Sequence, residues 1–138
     1  MTLGKELTLY VAAQTGLVVG QSINWLFVGP YAPDRLAVIL PAGGDPSRPD
    51  TMGNVGEFPF QVSSRDLDPN DCHDLALQIH DVLKQCTGFD LGDWFMHTCI
   101  GVTEPQPLGY DPKRRFEFSA QYLVHAHAKS EAAWLTPT

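Results

Sequence analysis

The chain is expected to fold as an α+β domain: a mostly antiparallel sheet of about five strands, two main helices packed on one face, and a long protruding arm. Three stretches carry this expectation. Residues Phe116, Phe118, Ala120, Tyr122 and Val124 alternate with Glu117, Ser119 and Gln121, which is the period of a strand with one apolar face. Between Asp68 and Gly88, residues Cys72, Leu75, Ala76, Ile79, Leu83 and Cys86 recur at the spacing of one helix face. From Pro41 to Glu57, prolines and glycines punctuate a polar run in which only Met52 and Val55 are larger apolar side chains. A structureless stretch of this length reads as a functional arm or a mobile tip, with Gly43 and Gly44 near its start.

Taken in order, Thr2 is placed to cap a first helix over Leu3–Gln14, with Leu7 and Val11 on its apolar side and Gly16 as its stop. Gln21–Val28 reads as a strand ended by Gly29-Pro30, and Tyr31-Ala32-Pro33-Asp34 reads as a turn. Leu36–Leu40 is a short continuous apolar run, the pattern of a strand buried on both faces. Phe58, Phe60 and Val62 alternate with Pro59, Gln61 and Ser63, which predicts a strand, and the proline near its start suggests an edge or first position. The central helix has an N-cap in Asp68, proline at its first position, and a polar face of Asp74, Gln78, Asp81 and Gln85; Gly88 is its expected stop. Trp94–Val102 follows as a strand, Glu104-Pro105-Gln106-Pro107 as a turn, and then the Phe116–Val124 strand. A short final helix over Lys129–Leu135 is expected in the 126–138 tail.

The 138 residues suit a single domain spanning 1–138, and 43% hydrophobic residues fits a soluble globular chain. No apolar run approaches the roughly 20 residues that span a bilayer. The start of the chain lacks the basic region and cleavage site of a secretory signal, so no export is expected. Cys72, Cys86 and Cys99 form no close pair and are expected as free thiols. The net charge of -7 argues against a surface that grips nucleic acid, which needs clustered Lys and Arg.

Catalytic and metal chemistry find little support. His125 and His127 flank Ala126 and could share one side of a strand end, but no third ligand stands at short spacing. His73 and His80 are almost two helical turns apart, too far to share an ion, and His97 reads as a satisfied core or interface residue. Cys72 and His73 are adjacent on a helix and so point about a hundred degrees apart, which is wrong for a nucleophile and its base. Gly43-Gly44 lacks the strand, helix and lysine of a phosphate loop. Neither a catalytic site nor a cofactor is expected. A small ligand-binding module using Trp25, Phe27, Trp94 and Phe95 is the remaining alternative, against their use as core.

Charge is more informative. Asp66–Asp93 holds seven aspartates and one basic residue, Lys84, while Lys113, Arg114 and Arg115 form the one basic cluster. These are either solvated surface, or a basic turn on one subunit facing an acidic patch, including Asp74 and Asp81, on another.

Read together, Asn24-Trp25-Leu26-Phe27-Val28-Gly29, Ala32-Pro33-Asp34-Arg35-Leu36-Ala37-Val38, Gly43-Gly44, Phe60-Gln61-Val62-Ser63-Ser64-Arg65 and Pro107-Leu108-Gly109-Tyr110-Asp111 with Arg115 and Phe116-Glu117-Phe118-Ser119 resemble, in that order, the tailed-bacteriophage minor capsid or tail terminator (tail-completion) family. The resemblance implies a structural virion protein, not an enzyme. It implies a ring of six subunits that ends growth of the tail tube, caps its head-proximal end and meets the neck or head-completion proteins. DNA would pass through the lumen without specific binding, and the particle would be assembled in the host cytoplasm. Arg65 and the Lys113–Arg115 cluster would then lie at subunit or tube contacts. A neck, head-completion or tail-tube protein is the nearest alternative, and a small metal-dependent enzyme through His125 and His127 the more distant one.

Overall fold

The computed structural model describes residues 2–28, 32–42 and 56–129. The chain runs as α1 (Leu3–Thr15), β1 (Ile23–Trp25), β2 (Leu36–Pro41), β3 (Gly56–Asp66), α2 (Pro69–Lys84), β4 (Phe89–Leu91), β5 (Trp94–Tyr110) and β6 (Phe116–Ala128). The strands form one six-stranded sheet, one more than expected, in the order β1-β2-β3-β6-β5-β4. Only the β1–β2 pair is parallel.

Both helices cover one face of this sheet. From α1 come Leu3, Leu7 and Val11, and from α2 come Leu75, Ile79 and Leu83. They meet Phe58, Phe60 and Val62 of β3 and Ala120, Tyr122, Val124 and Ala126 of β6 in one apolar core. α1 touches β1 and β2 near one edge and β4 at the other, with Tyr10 and Phe89 rings 5.2 Å apart, so the sheet curls around it. Close approach at the start of α1 requires glycine, because a Cβ at Gly4 would overlap the six-membered ring of Trp25.

Local signals place the helices well. Gly16 closes α1 in the left-handed region at φ 79°, its N–H donating to the Ala12 carbonyl. Thr2 occupies the N-cap position, but its hydroxyl makes no capping bond, so the expected cap is one of backbone only. On α2 the Asp68 carboxylate accepts from the Asn70 and Asp71 N–H groups at 2.8 and 3.1 Å. That helix ends at Gln85, short of the Gly88 stop; Gly88, at φ 69°, instead begins the approach to β4 by donating to the Met96 carbonyl.

The strands depart further from expectation. β1 is three residues, not Gln21–Val28, because Leu26 turns into the left-handed region at φ 78° and ends the ladder. β3 is an interior strand between β2 and β6, not an edge. Pro59 is tolerated there because its carbonyl accepts from Ala42 just past the end of β2. Its missing N–H faces that same side, so pairing with Leu123 of β6 survives. β4 went unread in the sequence, since three residues show no period; Gly92 at φ 61° turns it into β5.

The largest correction concerns Glu104–Pro107, which is strand and not turn. β5 continues to Tyr110 through register shifts between Gly101 and Thr103, Thr103 and Gln106, and Pro107 and Gly109. An edge strand can carry prolines in this way because bulges and an outward N–H cost it no partner. β6 likewise extends to Ala128 and absorbs the first residues of the expected tail. At the arm, Pro41 closes β2 while Gly56 and Glu57 open β3. Gly43, Gly44, Met52 and Val55 lie outside the described residues, as does all of the expected final helix except Lys129.

Candidate assembly surface

The β5–β6 hairpin ends in a turn organised by one carboxylate. Asp111 Oδ1 accepts from the backbone N–H of Lys113 and of Arg115 at 2.9 and 2.8 Å. Its Oδ2 takes Nε and Nη2 of Arg115, each at 2.8 Å, as a two-pronged pair. The Arg115 N–H first, and then its guanidinium, hold the Asp111 carboxyl below its ordinary 3.8. Arg114 sits at φ 63°, a left-handed position that the surrounding bonds impose.

This arrangement sorts the basic cluster. The Arg115 side chain is 14% exposed and also reaches Asp34 at 3.6 Å, so it acts within the chain. Lys113 and Arg114 are exposed at the hairpin tip. Arg65 likewise acts within the chain: its Nε and Nη2 donate to the carbonyls of Asp34 and Pro33 at 3.1 and 2.7 Å, tying the loop before β2 to β3. Asp74 and Asp81 lie on the exposed side of α2, away from the core stripe. The structure thus brings Arg65, Arg115, Asp34 and Asp111 into one framework and leaves Lys113, Arg114, Asp74 and Asp81 on the surface.

Histidines gather on the face of the sheet opposite the helices. His97 Nε2 and His127 Nδ1 are 2.7 Å apart, one donating to the other, with Phe95 stacked on His127. His125 meets Thr98 at 3.1 Å and Glu57 at 3.3 Å. His97 is therefore not a core residue, and His125 and His127 are half-buried. Among the described residues, no group of three or more His, Cys, Asp or Glu is placed to hold a metal. His73, exposed, stacks on Phe118, while His80 is buried against Tyr122.

The aromatic set expected as core divides. Trp94 is buried and Trp25 packs edge-on against Phe60, but Phe27 is 70% exposed. Phe27 lines a groove with Leu26 and Val28 and with Leu36, Val38 and Leu40 from the outer side of β2. On the far strand β5, Ile100, Val102, Leu108 and Tyr110 are also exposed. Sequence reasoning missed both surfaces. The only signal available was the even spacing of apolar residues at 100 and 102 and again at 108 and 110, which the prolines between them obscured.

The family model described as bacteriophage tail terminator protein matches residues 10–127. No curated protein matches the chain. Among solved structures, a chain in the virion of a native gene transfer agent particle is similar at 13% identity and a TM-score of 0.60, over 86% of this chain and 84% of that one. At that identity the likeness concerns the fold alone.

Proposed function

The chain belongs to the bacteriophage tail terminator protein family, and from that premise we propose that it forms a ring, of six subunits, capping the head-proximal end of a tail tube. Its role is structural. In this reading the ring ends tube growth and offers its other side to neck or head-completion proteins, with DNA passing through the lumen of a virion assembled in the host cytoplasm. The observation that carries the reading is the β5–β6 hairpin. It ends in a turn pinned by Asp111 and Arg115 that presents Lys113 and Arg114 to solvent. A tip held in one geometry places its charges with little loss of backbone freedom on binding, which suits a docking contact. Asp74 and Asp81 on α2 supply the opposite charge for a neighbouring subunit or tube. A net charge of -7 favours a lumen that repels phosphate and lets DNA slide.

Electron micrographs of particles made without this gene product test the role. Overlong tails, or heads and tails left unjoined, are expected; normal particles would overturn it. Replacing Lys113 and Arg114 with Glu tests the tip, leaving Arg115 in place because it holds the turn. Assembly should fall while the monomer keeps its melting temperature, and unchanged assembly would remove the tip from the interface.

A further inference from the structure

Among the described residues, the sheet exposes an apolar surface at each of its two edges. At one edge β4 pairs only with Trp94–Met96 of β5. Among the described residues, the rest of β5 has a strand neighbour on its β6 side alone. Ile100 and Val102 on this stretch are 50% and 58% exposed, and Glu104, also exposed, follows them. At the other edge the chain leaves β1 and displays Leu26, Phe27 and Val28. Leu26 does so from a left-handed backbone that a leucine rarely adopts. A strained backbone that holds apolar side chains in water gains nothing locally, which marks a surface made to be covered. Lys5 lines a groove with Leu26 and Phe27 and is itself exposed.

We propose that these two surfaces are the halves of one contact between copies of this chain. The Ile100–Val102 strip of one subunit seats on the Leu26–Val28 surface of the next, with Glu104 facing Lys5 across the rim. This rests on the ring reading above and supplies its subunit interface. Charge selects the pairing. Lys5, Arg65 and Glu117 line the grooves at the Leu26–Val28 surface and leave it one positive charge in excess, while Glu104 borders the Ile100–Val102 strip, so the head-to-tail arrangement joins surfaces of opposite charge. Two different surfaces on one chain make a heterologous contact, the kind that closes into a ring. The surfaces stand four strand spacings apart along the curled sheet, roughly 19 Å, so one subunit can use both at once. Pro105, Pro107 and the register shifts in β5 discourage pairing with arbitrary strands, leaving side chains to define the partner.

The test uses two variants of the full chain, Phe27→Asp and Val102→Asp, by sedimentation velocity and by imaging of particles that contain them. Each alone should weaken self-association by at least about thirty-fold, the effect of losing a central apolar anchor. Mixed together they should form a one-to-one pair and stop there, because each keeps one intact surface and the outer two are spoiled. Misfolded variants cannot give that pair. Where the wild type self-associates in solution, self-association of either variant at its level, or no pairing of the mixture, would overturn the interface; where it does not, the particles decide. Rings in particles built equally well from both variants would keep the ring reading and reject this contact. A wild-type chain present as a single copy in both solution and particles would remove the ring reading itself.

Discussion

The Nδ1 atom of His80 on α2 lies 2.7 Å from the hydroxyl of Tyr122 on β6, joining helix to sheet inside a core that is mostly apolar. Gly101 of β5 makes room for this pair: a Cβ there would stand 3.1 Å from His80 Cε1. Tyr122→Phe would leave the buried imidazole nitrogen without its partner. A loss of about 1–3 kcal/mol is expected, read from urea unfolding; a stability within error of wild type would show that the bond contributes nothing.

The same histidine gives the fold a pH dependence. Burial first, and then the nearby Lys84 charge, push His80 below its ordinary 6.5. The unfolded chain takes up a proton near that pH while the folded chain resists it. Stability is therefore full above about pH 6.5 and declines as pH falls from there toward the folded value. Urea midpoints between about pH 7.5 and 5.5 should show this decline, and His80→Gln should flatten it. An equal slope in that variant would assign the decline to other groups.

Gly4 is expected to resist substitution. The Trp25 ring occupies the space a Cβ would need, and neither α1 nor the short β1 can move away without disturbing Leu3 and Leu7 in the core. Gly4→Ala should cost about 1–3 kcal/mol through overpacking, although alanine is the better helix former. A melting temperature at or above wild type would contradict the close packing.

Asp111 should control the hairpin tip. In Asp111→Ala the amides of Lys113 and Arg115 lose their acceptor, and their hydrogen exchange should rise at least about ten-fold while core amides are unchanged. In the wild type, the carboxyl titrates below 3.8, so the turn is intact above that pH and loosens as pH falls through the folded value. A carboxyl titration midpoint at or above 3.8 by NMR would refute this arrangement.

Burial pushes the Cys72 and Cys86 thiols up to about 11 and Cys99 up to about 12. At mildly alkaline pH, the native chain should react with a thiol reagent on the order of a hundred-fold or more slower than a free thiol. All three should react together on unfolding. Rapid labelling of any one in the native state would show that its surroundings open.

Much of this protein was legible where a signal is local. Asp68, Pro69 and the stripe from Cys72 to Leu83 specify α2, because a cap and a helical period act within a few residues. The alternation from Phe116 to Val124 specifies β6 and its buried face for the same reason. Strand extent was not legible in that way. β5 runs through Pro105 and Pro107 because its ladder with β6 tolerates register shifts and, among the described residues, no strand pairs with its far side beyond Met96, and neither fact is written in the segment itself. Phe27 looked like core and is exposed, since burial depends on what the fold brings over a side chain. Arg115 and Arg65 were read as contact residues from their charge alone, whereas the groups near Asp34 that both bind are brought within reach only by the packed sheet. The sequence alone therefore determined which residues turn, cap and alternate. Which edges and apolar side chains stay uncovered was decided by the tertiary structure, because that follows from contacts between segments far apart in the chain.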